Sequence, residues 1–207
     1  MKIKRLVLGD LGTNCYIVYN DKTKEAAIFD PADEGIKIKE EIENLSLNPI
    51  YIVITHAHCD HICALDFLKE YYPDAKICVG KYEAESLNDD YLSLSVHFGM
   101  NAPHSKADVL IADGDSLNIG DEKLKFLHTP GHTKGGICAV ANDFIISGDT
   151  LFLESVGRCD FPGGSMKELV CSIKDKLFKL PDIMAVYPGH GDRTSIGHEK
   201  KNNPYIW

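Results

Sequence analysis

Six consecutive residues, His56-Ala57-His58-Cys59-Asp60-His61, carry three imidazoles and a carboxylate. The whole chain has 9 histidines among 207 residues, so such a cluster needs an explanation. Imidazole nitrogens and carboxylate oxygens are the donors that zinc, iron and related divalent ions accept, and four at this density point to a metal centre. An ordinary turn would employ Asp60 as a helix N-cap. It would have no use for three histidines around it.

Three further candidate ligands stand alone. His132 lies in Thr129-Pro130-Gly131-His132-Thr133, Asp149 in Ser147-Gly148-Asp149-Thr150, and His190 in Tyr187-Pro188-Gly189-His190-Gly191. Each follows a short run that reads as a strand. Each is also preceded by glycine, which permits tight backbone geometry beside a packed site. Singly, any of them reads as a common turn residue. Together with the first cluster they form a set. Cys59 and Cys63, four apart, offer thiolates, but the adjacent histidines already complete a ligand set. His97, His104, His128 and His198 fit no ligand position.

The elements that must carry these groups can be read from apolar periodicity. Ile50-Tyr51-Ile52-Val53-Ile54-Thr55 is the β-branched run of a buried strand. After the cluster, Ile62, Leu65, Phe67 and Leu68 approach helical spacing. The ligands therefore sit where a buried strand ends and a helix begins, the place where active sites of open α/β sheets collect. Strands are expected near 2–8, 15–20, 25–30, 50–55 and 76–80, with helices near 33–45 and 61–72. From 81 to 106 the pattern weakens, with loop-like Asn88-Asp89-Asp90 and Asn101-Ala102-Pro103-His104, and a helical excursion is expected. A second β-rich stretch follows the Asp113-Gly114-Asp115 turn, with strands at 116–119, 123–128, 136–141 and 144–147. Asn142-Asp143 joins the last two as a hairpin. Ser165, with Glu168 three residues on, opens a helix over 166–180 that Pro181 ends. Residues 185–187 form a final strand. Two β-rich halves with helices bury all their apolar faces if two sheets stack with the helices outside.

Hydrophobic residues make up 44% of the chain, enough for a substantial core. A net charge of −9 argues against a nucleic-acid partner. No apolar stretch reaches the roughly 18 residues needed to span a bilayer. The charged start, Met1 to Leu8, reads as a first strand and has too short an apolar run for a signal peptide. The 7 cysteines are odd in number and form no CxxC pair, as expected in a reducing, cytoplasmic compartment, with most of them small buried hydrophobes.

The order HxHxDH, TPGHT, SGDT, PGHG resembles the metallo-β-lactamase superfamily through nearly the whole chain. Residues 155–162 and the ending from Gly197 to Tyr205 resemble its short, single-domain glyoxalase II-like hydrolases. The resemblance implies an α/β fold, an αββα four-layer sandwich, as a single domain over 1–207 without the C-terminal helical domain of two-domain glyoxalase II. It implies two divalent metal ions, Zn and/or Fe. His56, His58 and His132 would bind the first, Asp60, His61 and His190 the second, with Asp149 bridging. Arg158 falls where glyoxalase II places a glutathione-contacting lysine, and Asp160 where it places a tyrosine. The basic position is retained and could meet a substrate carboxylate, or pair with Asp160 as a loop brace.

Such a site, together with the resemblance to the glyoxalase II-like hydrolases, implies hydrolysis of a small 2-hydroxyacyl thioester, of the S-lactoylglutathione type, by a metal-bridging hydroxide that Asp60 orients. A thiolate leaves unprotonated more readily than an amine, and the sequence offers no obvious extra general acid. The rivals are a persulfide dioxygenase with one iron on His56, His58, His132 and Asp149, suggested by Gly157-Arg158-Cys159-Asp160-Phe161, and a lactonase. Pro188-Gly189-His190-Gly191 and Asn202-Asn203-Pro204 fit the hydrolases better. A flavodiiron protein would need an acidic residue at His58. A true β-lactamase would not have Asp149 in its place. A non-enzymatic metal site would close its ligand set to solvent.

Overall fold

Ile17 and Val18 are neighbours on one strand and both are fully buried, yet they pack into different cores. The pairs Ile28/Phe29, Ile52/Val53 and Ile77/Cys78 behave alike. Successive strand residues point to opposite faces, so a strand apolar at every position must be covered on both sides. That requirement produces the layers.

The computed structural model describes residues 1–100 and 102–206; Asn101, expected in a loop, and Trp207 lie outside the described residues. The first sheet runs in chain order through β1 (Lys2–Leu8), β2 (Thr13–Tyr19), β3 (Glu25–Phe29), β4 (Asn48–Ile54), β5 (Lys76–Gly80) and β6 (Val109–Ile111). Its first three strands are antiparallel neighbours, whereas β3 to β6 are parallel. The second half supplies β7 (Ser116–Ile119), β8 (Glu122–His128), β9 (Ile137–Val140) and β10 (Phe144–Gly148). A small hairpin of β11 (Leu151–Phe152) and β12 (Ser155–Val156) follows, then β13 (Ala185–Pro188) and β14 (Thr194–Ser195). The second sheet has the order β14-β13-β10-β9-β8-β7, with β10 and β13 parallel.

Tyr16, Phe29 and Val53 of the first sheet meet Phe126, Phe144 and Ile146 of the second in the central core. Outside the first sheet, Ile38 and Ile42 of α1 (Gly35–Asn44) pack on Ile28, Ile52 and Ile77. Beside them lie the short α2 (Cys59–Ile62) and Leu65 and Leu68 of α3 (Leu65–Tyr71). Outside the second sheet, Leu169 and Ile173 of α4 (Met166–Asp175) and Ile196 of α5 (Ile196–Asn202) cover Cys138, Ile145 and Val186. Each such side chain contributes about 1.5–3 kcal/mol on burial. The result is the αββα sandwich, in the α/β class. Among the described residues no helix is long and apolar enough to cross a membrane.

Several local expectations are corrected. The single helix over 61–72 is two, because the chain turns at Cys63 and Ala64 and lets α2 hold Asp60 and His61 apart from the packing helix α3. Between 81 and 106 the described residues form only two short 3₁₀ turns, Ser86–Asn88 and Ser95–Phe98. The helix over 166–180 stops at Asp175, with a separate 3₁₀ turn at Leu177–Lys179. Its start is as expected: Ser165 accepts the Glu168 N–H at 3.3 Å. The strands of two or three residues, β6, β11, β12 and β14, carry too little periodicity to be read.

Candidate metal centre

Every candidate ligand follows the carboxyl end of a strand: β4 leads to the 56–61 cluster, β8 to His132, β10 to Asp149 and β13 to His190. Stacking the two sheets brings these ends to one edge. The approach is close. A Cβ on Gly189 would stand 2.1 Å from Asp149 Oδ1, and one on Gly148 would stand 2.4 Å from Thr55 Oγ1, with Gly148 also at φ +48°. Only glycine fits either place.

All seven side chains meet, in two groups. His132 Nε2 lies 3.2 Å from His56 Nε2 and 2.9 Å from His58 Nδ1. His190 Nε2 lies 3.2 Å from Asp60 Oδ2, and His61 Nε2 lies 3.6 Å from the same oxygen. Asp149 stands between the groups, with Oδ1 3.4 Å from His61 Nε2 and Oδ2 3.5 Å from His132 Nε2 and 3.7 Å from His190 Nε2. Each of the triads His56/His58/His132 and Asp60/His61/His190 has its donor atoms within 4.8 Å of one another. Tetrahedral zinc with bonds of about 2.05 Å sets its nitrogens about 3.3 Å apart, close to the first triad's spacing. His61 Nε2 and Asp149 Oδ1 are buried and lack hydrogen-bond partners among the described residues. A cation between them would satisfy both, so the donor set fits divalent ions.

A second layer of hydrogen bonds selects the tautomers. His132 Nδ1–H donates to the Arg158 carbonyl at 2.7 Å, leaving Nε2 as the free lone pair. His61 Nδ1–H donates to Asp30 Oδ2 at 3.0 Å, so Nε2 is the nitrogen that offers its lone pair once the ring gives up its second proton. Asp30 also accepts the Thr55 N–H and hydroxyl, each at 2.7 Å, and Thr55 Oγ1 stands 3.3 Å from His56 Nδ1. Asp30, on the bend after β3 with φ +47°, is thus a buried anchor that the sequence reading missed. Its place directly after a buried strand was the available signal. Glu83 was missed as well, and nothing around it in the sequence marks it. It is 1% exposed, and its carboxylate accepts Ala57 N–H at 3.0 Å, Thr133 Oγ1–H at 2.9 Å and Gly135 N–H at 2.9 Å. One carboxylate therefore joins the loop of His56 and His58 to the loop of His132.

Electrostatics divide the two triads. Burial pushes His58 down to about 3 and holds His56 well below its usual range, aided by the neighbouring histidines. Burial also lowers His132, although Asp149 and the Arg158 carbonyl resist. In the other triad burial is outweighed: Asp60, Asp149 and Asp30 raise His61 to about 10, and Asp60 and Asp149 raise His190. Asp60 is itself held well below the carboxylate range, against burial, by His61 and by hydrogen bonds from His190 and Thr13.

Arg158 takes the loop-brace arrangement. Its Nε and Nη2 bond both oxygens of Asp160, at 3.0 and 2.8 Å, and its guanidinium lies 4.3 Å over the Phe161 ring. Phe161 in turn packs edge-on against His58. Cys59 belongs to neither triad, nor to the group of His56, His61 and Asp149, whose donor atoms also lie within 4.8 Å of one another. His198 sits on α5, paired with Glu154.

The metallo-beta-lactamase superfamily profile matches residues 8–190. A protein of Bacillus subtilis named probable metallo-hydrolase YqgX is 38% identical, over 100% of this chain and 98% of its own length. Hydroxyacylglutathione hydrolase GloC of Haemophilus influenzae is 32% identical, over 100% of this chain and 98% of its own. Among solved structures, BLEG-1 B3 metallo-beta-lactamase superposes with a TM-score of 0.94 at 35% identity, covering 99% of both chains. TTHA1623 in a di-iron-bound form superposes at 0.87 with 32% identity, covering 98% of this chain and 100% of its own.

Proposed function

The chain belongs to the metallo-beta-lactamase superfamily as a metal-dependent hydrolase, and from that premise we propose that it cleaves a small 2-hydroxyacyl thioester, of the S-lactoylglutathione type, to the acid and the free thiol. The observation that carries this reading is the pair of triads sharing Asp149. His56, His58 and His132 would hold one divalent ion, Asp60, His61 and His190 a second, and Asp149 both. When bound, such a pair polarises a carbonyl and lowers the pKa of a shared water towards ~7. The donor chemistry suits zinc and iron alike; likeness to a protein solved with two irons supports the dinuclear reading.

The chain's own groups supply orientation. Thr13 Oγ1–H donates to Asp60 Oδ2 at 2.8 Å, which fixes the carboxylate and lets it hold the attacking water by a proton. Asp30, Thr55 and the Arg158 carbonyl keep the imidazoles aimed. The described residues lining the two cavities at the centre include no lysine, no tyrosine and no histidine beyond the seven. With no lysine, tyrosine or further histidine there to protonate an amine, a thiolate, with a thiol pKa of about 8.5, is the better leaving group. Likeness to a hydroxyacylglutathione hydrolase supports the same class. The free state of all seven cysteines supports a reducing, cytoplasmic setting.

Hydrolysis of a β-lactam is the second reading, favoured by the likeness to a B3 metallo-beta-lactamase and opposed by Asp149, which a true β-lactamase would not have in that place. The test assays the metal-replete protein with S-lactoylglutathione, a lactone, a β-lactam and, on an oxygen electrode, a persulfide. The highest kcat/KM is expected for the thioester. A lactone or β-lactam far ahead of it would move the substrate class; oxygen uptake with no thioester cleaved would remove the hydrolysis.

A further inference from the structure

A cavity of about 200 Å³ opens beside the centre, between the β1–β2 turn and residues 98–100, with Asp60 and Thr13 at its inner end. The apolar part of its wall is Leu11 on the turn, Cys59 and Cys63 on and just after α2, and Phe98 and Met100. Leu11, Phe98 and Met100 are each 42–51% exposed. Large apolar side chains left open around one hollow beside reactive groups mark a ligand site rather than a core. Cys63 Sγ touches Met100 Sδ at 3.6 Å, which ties the outer wall to the helical one.

The charge of the hollow has a single sign. Asp10, Asp33 and Asp60 line it, and no lysine or arginine does so among the described residues. Asp33 is held in place: it accepts the Glu34 N–H at 2.6 Å, and its Cβ lies 3.2 Å from where a Cβ on Gly9 would be. A substrate carboxylate entering here would meet the like charges of Asp10 and Asp33, both exposed, besides that of Asp60. A cavity of about 150 Å³ accommodates a benzene ring. This one therefore takes a phenyl group or a short alkyl chain, more than the methyl of a lactoyl group fills.

We propose that this cavity is an acyl side-chain subsite, and that the substrate carries an uncharged alkyl or phenyl group on its acyl carbon, with any carboxylate turned away from it. Leu11, Cys63, Phe98 and Met100 enclose the group, and Asp10 and Asp33 exclude anionic competitors. The kinetic part of this inference rests on the hydrolase reading above. The binding part does not.

The experiment has two arms. In the first, N-acetylcysteamine thioesters of lactate, 2-hydroxybutanoate, 2-hydroxyhexanoate, mandelate and the terminally carboxylated 2-hydroxyglutarate are assayed with metal-replete protein. The expected kcat/KM rises about threefold to fourfold per added methylene until the cavity is full, and falls at least tenfold for the carboxylated chain. Met100→Trp, a change at an exposed position, flattens the length dependence, and the double variant Asp10→Asn, Asp33→Asn relieves the penalty on the carboxylated chain. In the second arm, protein labelled with ¹³C-methyl methionine is titrated with 1-hexanol, and the Met100 signal is expected to shift saturably. If no thioester is cleaved but Met100 responds, the subsite stands and the thioester reading falls. If thioesters are cleaved with no dependence on chain length or terminal charge, and Met100 does not respond, the subsite is wrong and the hydrolase reading stands.

Discussion

Asp30 Oδ2 lies 3.0 Å from His61 Nδ1, with both side chains buried from solvent. The carboxylate fixes the His61 tautomer and aims Nε2 at the centre. Asp30→Asn preserves size but removes the charge, and its amide can turn an N–H towards the imidazole. Metal affinity of the Asp60/His61/His190 triad is expected to fall about 10- to 100-fold. Competition against a chelator measures it; unchanged affinity for the second equivalent would refute the role.

The two triads should fill in sequence with pH. His58 at about 3 and His56 well below its ordinary range are neutral near neutral pH, because burial opposes their charge. His61 keeps its proton up to about 10, and His190 is raised too, because the surrounding carboxylates outweigh burial. An ion entering the second triad must displace those protons; one entering the first displaces none from His56 or His58. About one equivalent should bind at pH 6 and about two at pH 8 in the same limiting free metal, as read by dialysis and elemental analysis. Simultaneous filling at both pH values would contradict this. In the metal-free chain, the raised His61 contributes stability that is fully present below its unfolded value of about 6.5 and is lost as pH climbs through about 10.

Asp149 faces both triads, whereas the Arg158 side chain is engaged by Asp160. Asp149→Ala should deplete both metals and abolish turnover. Arg158→Ala leaves its backbone carbonyl on His132 and should change kcat by less than about threefold, with any larger effect appearing in KM. Elemental analysis and steady-state kinetics on both variants decide it. An equal loss of kcat in metal-replete Arg158→Ala would give the guanidinium a part in the chemistry.

Glu83 ties the two ligand loops together through three hydrogen bonds. Glu83→Ala strands the buried N–H groups of Ala57 and Gly135, at about 1–3 kcal/mol each. A marked fall in Tm is expected, with weaker binding at the His56/His58/His132 triad. Glu83→Gln, which keeps one acceptor, should recover part of both. Thermal denaturation of metal-free and metal-loaded protein separates the two effects.

The sequence showed the ligands because they are chemically conspicuous: imidazoles and a carboxylate crowd residues 56–61, and His132, Asp149 and His190 repeat a glycine-then-ligand ending after a strand. The sandwich was legible because pairs such as Ile52 and Val53 are apolar on both faces. What supports the ligands was harder to see. Asp30 and Glu83 act through bonds to residues 25 to 52 positions away, and a lone carboxylate shows no trace of such partners in its neighbours. The break between α2 and α3 was hidden because Ile62, Leu65 and Leu68 all face one core, as they would in a continuous helix. The cavity by Asp60 is assembled from four separate segments, and no local pattern encodes it.

The most direct test of the account is thioester hydrolysis followed while metal-free protein is titrated with zinc or iron(II). Thiol release should rise with added metal and level off at about two equivalents per chain, as a centre built around a shared Asp149 requires. A plateau at one equivalent, unchanged by further metal, or oxygen consumption with persulfide in place of thiol release, would contradict it.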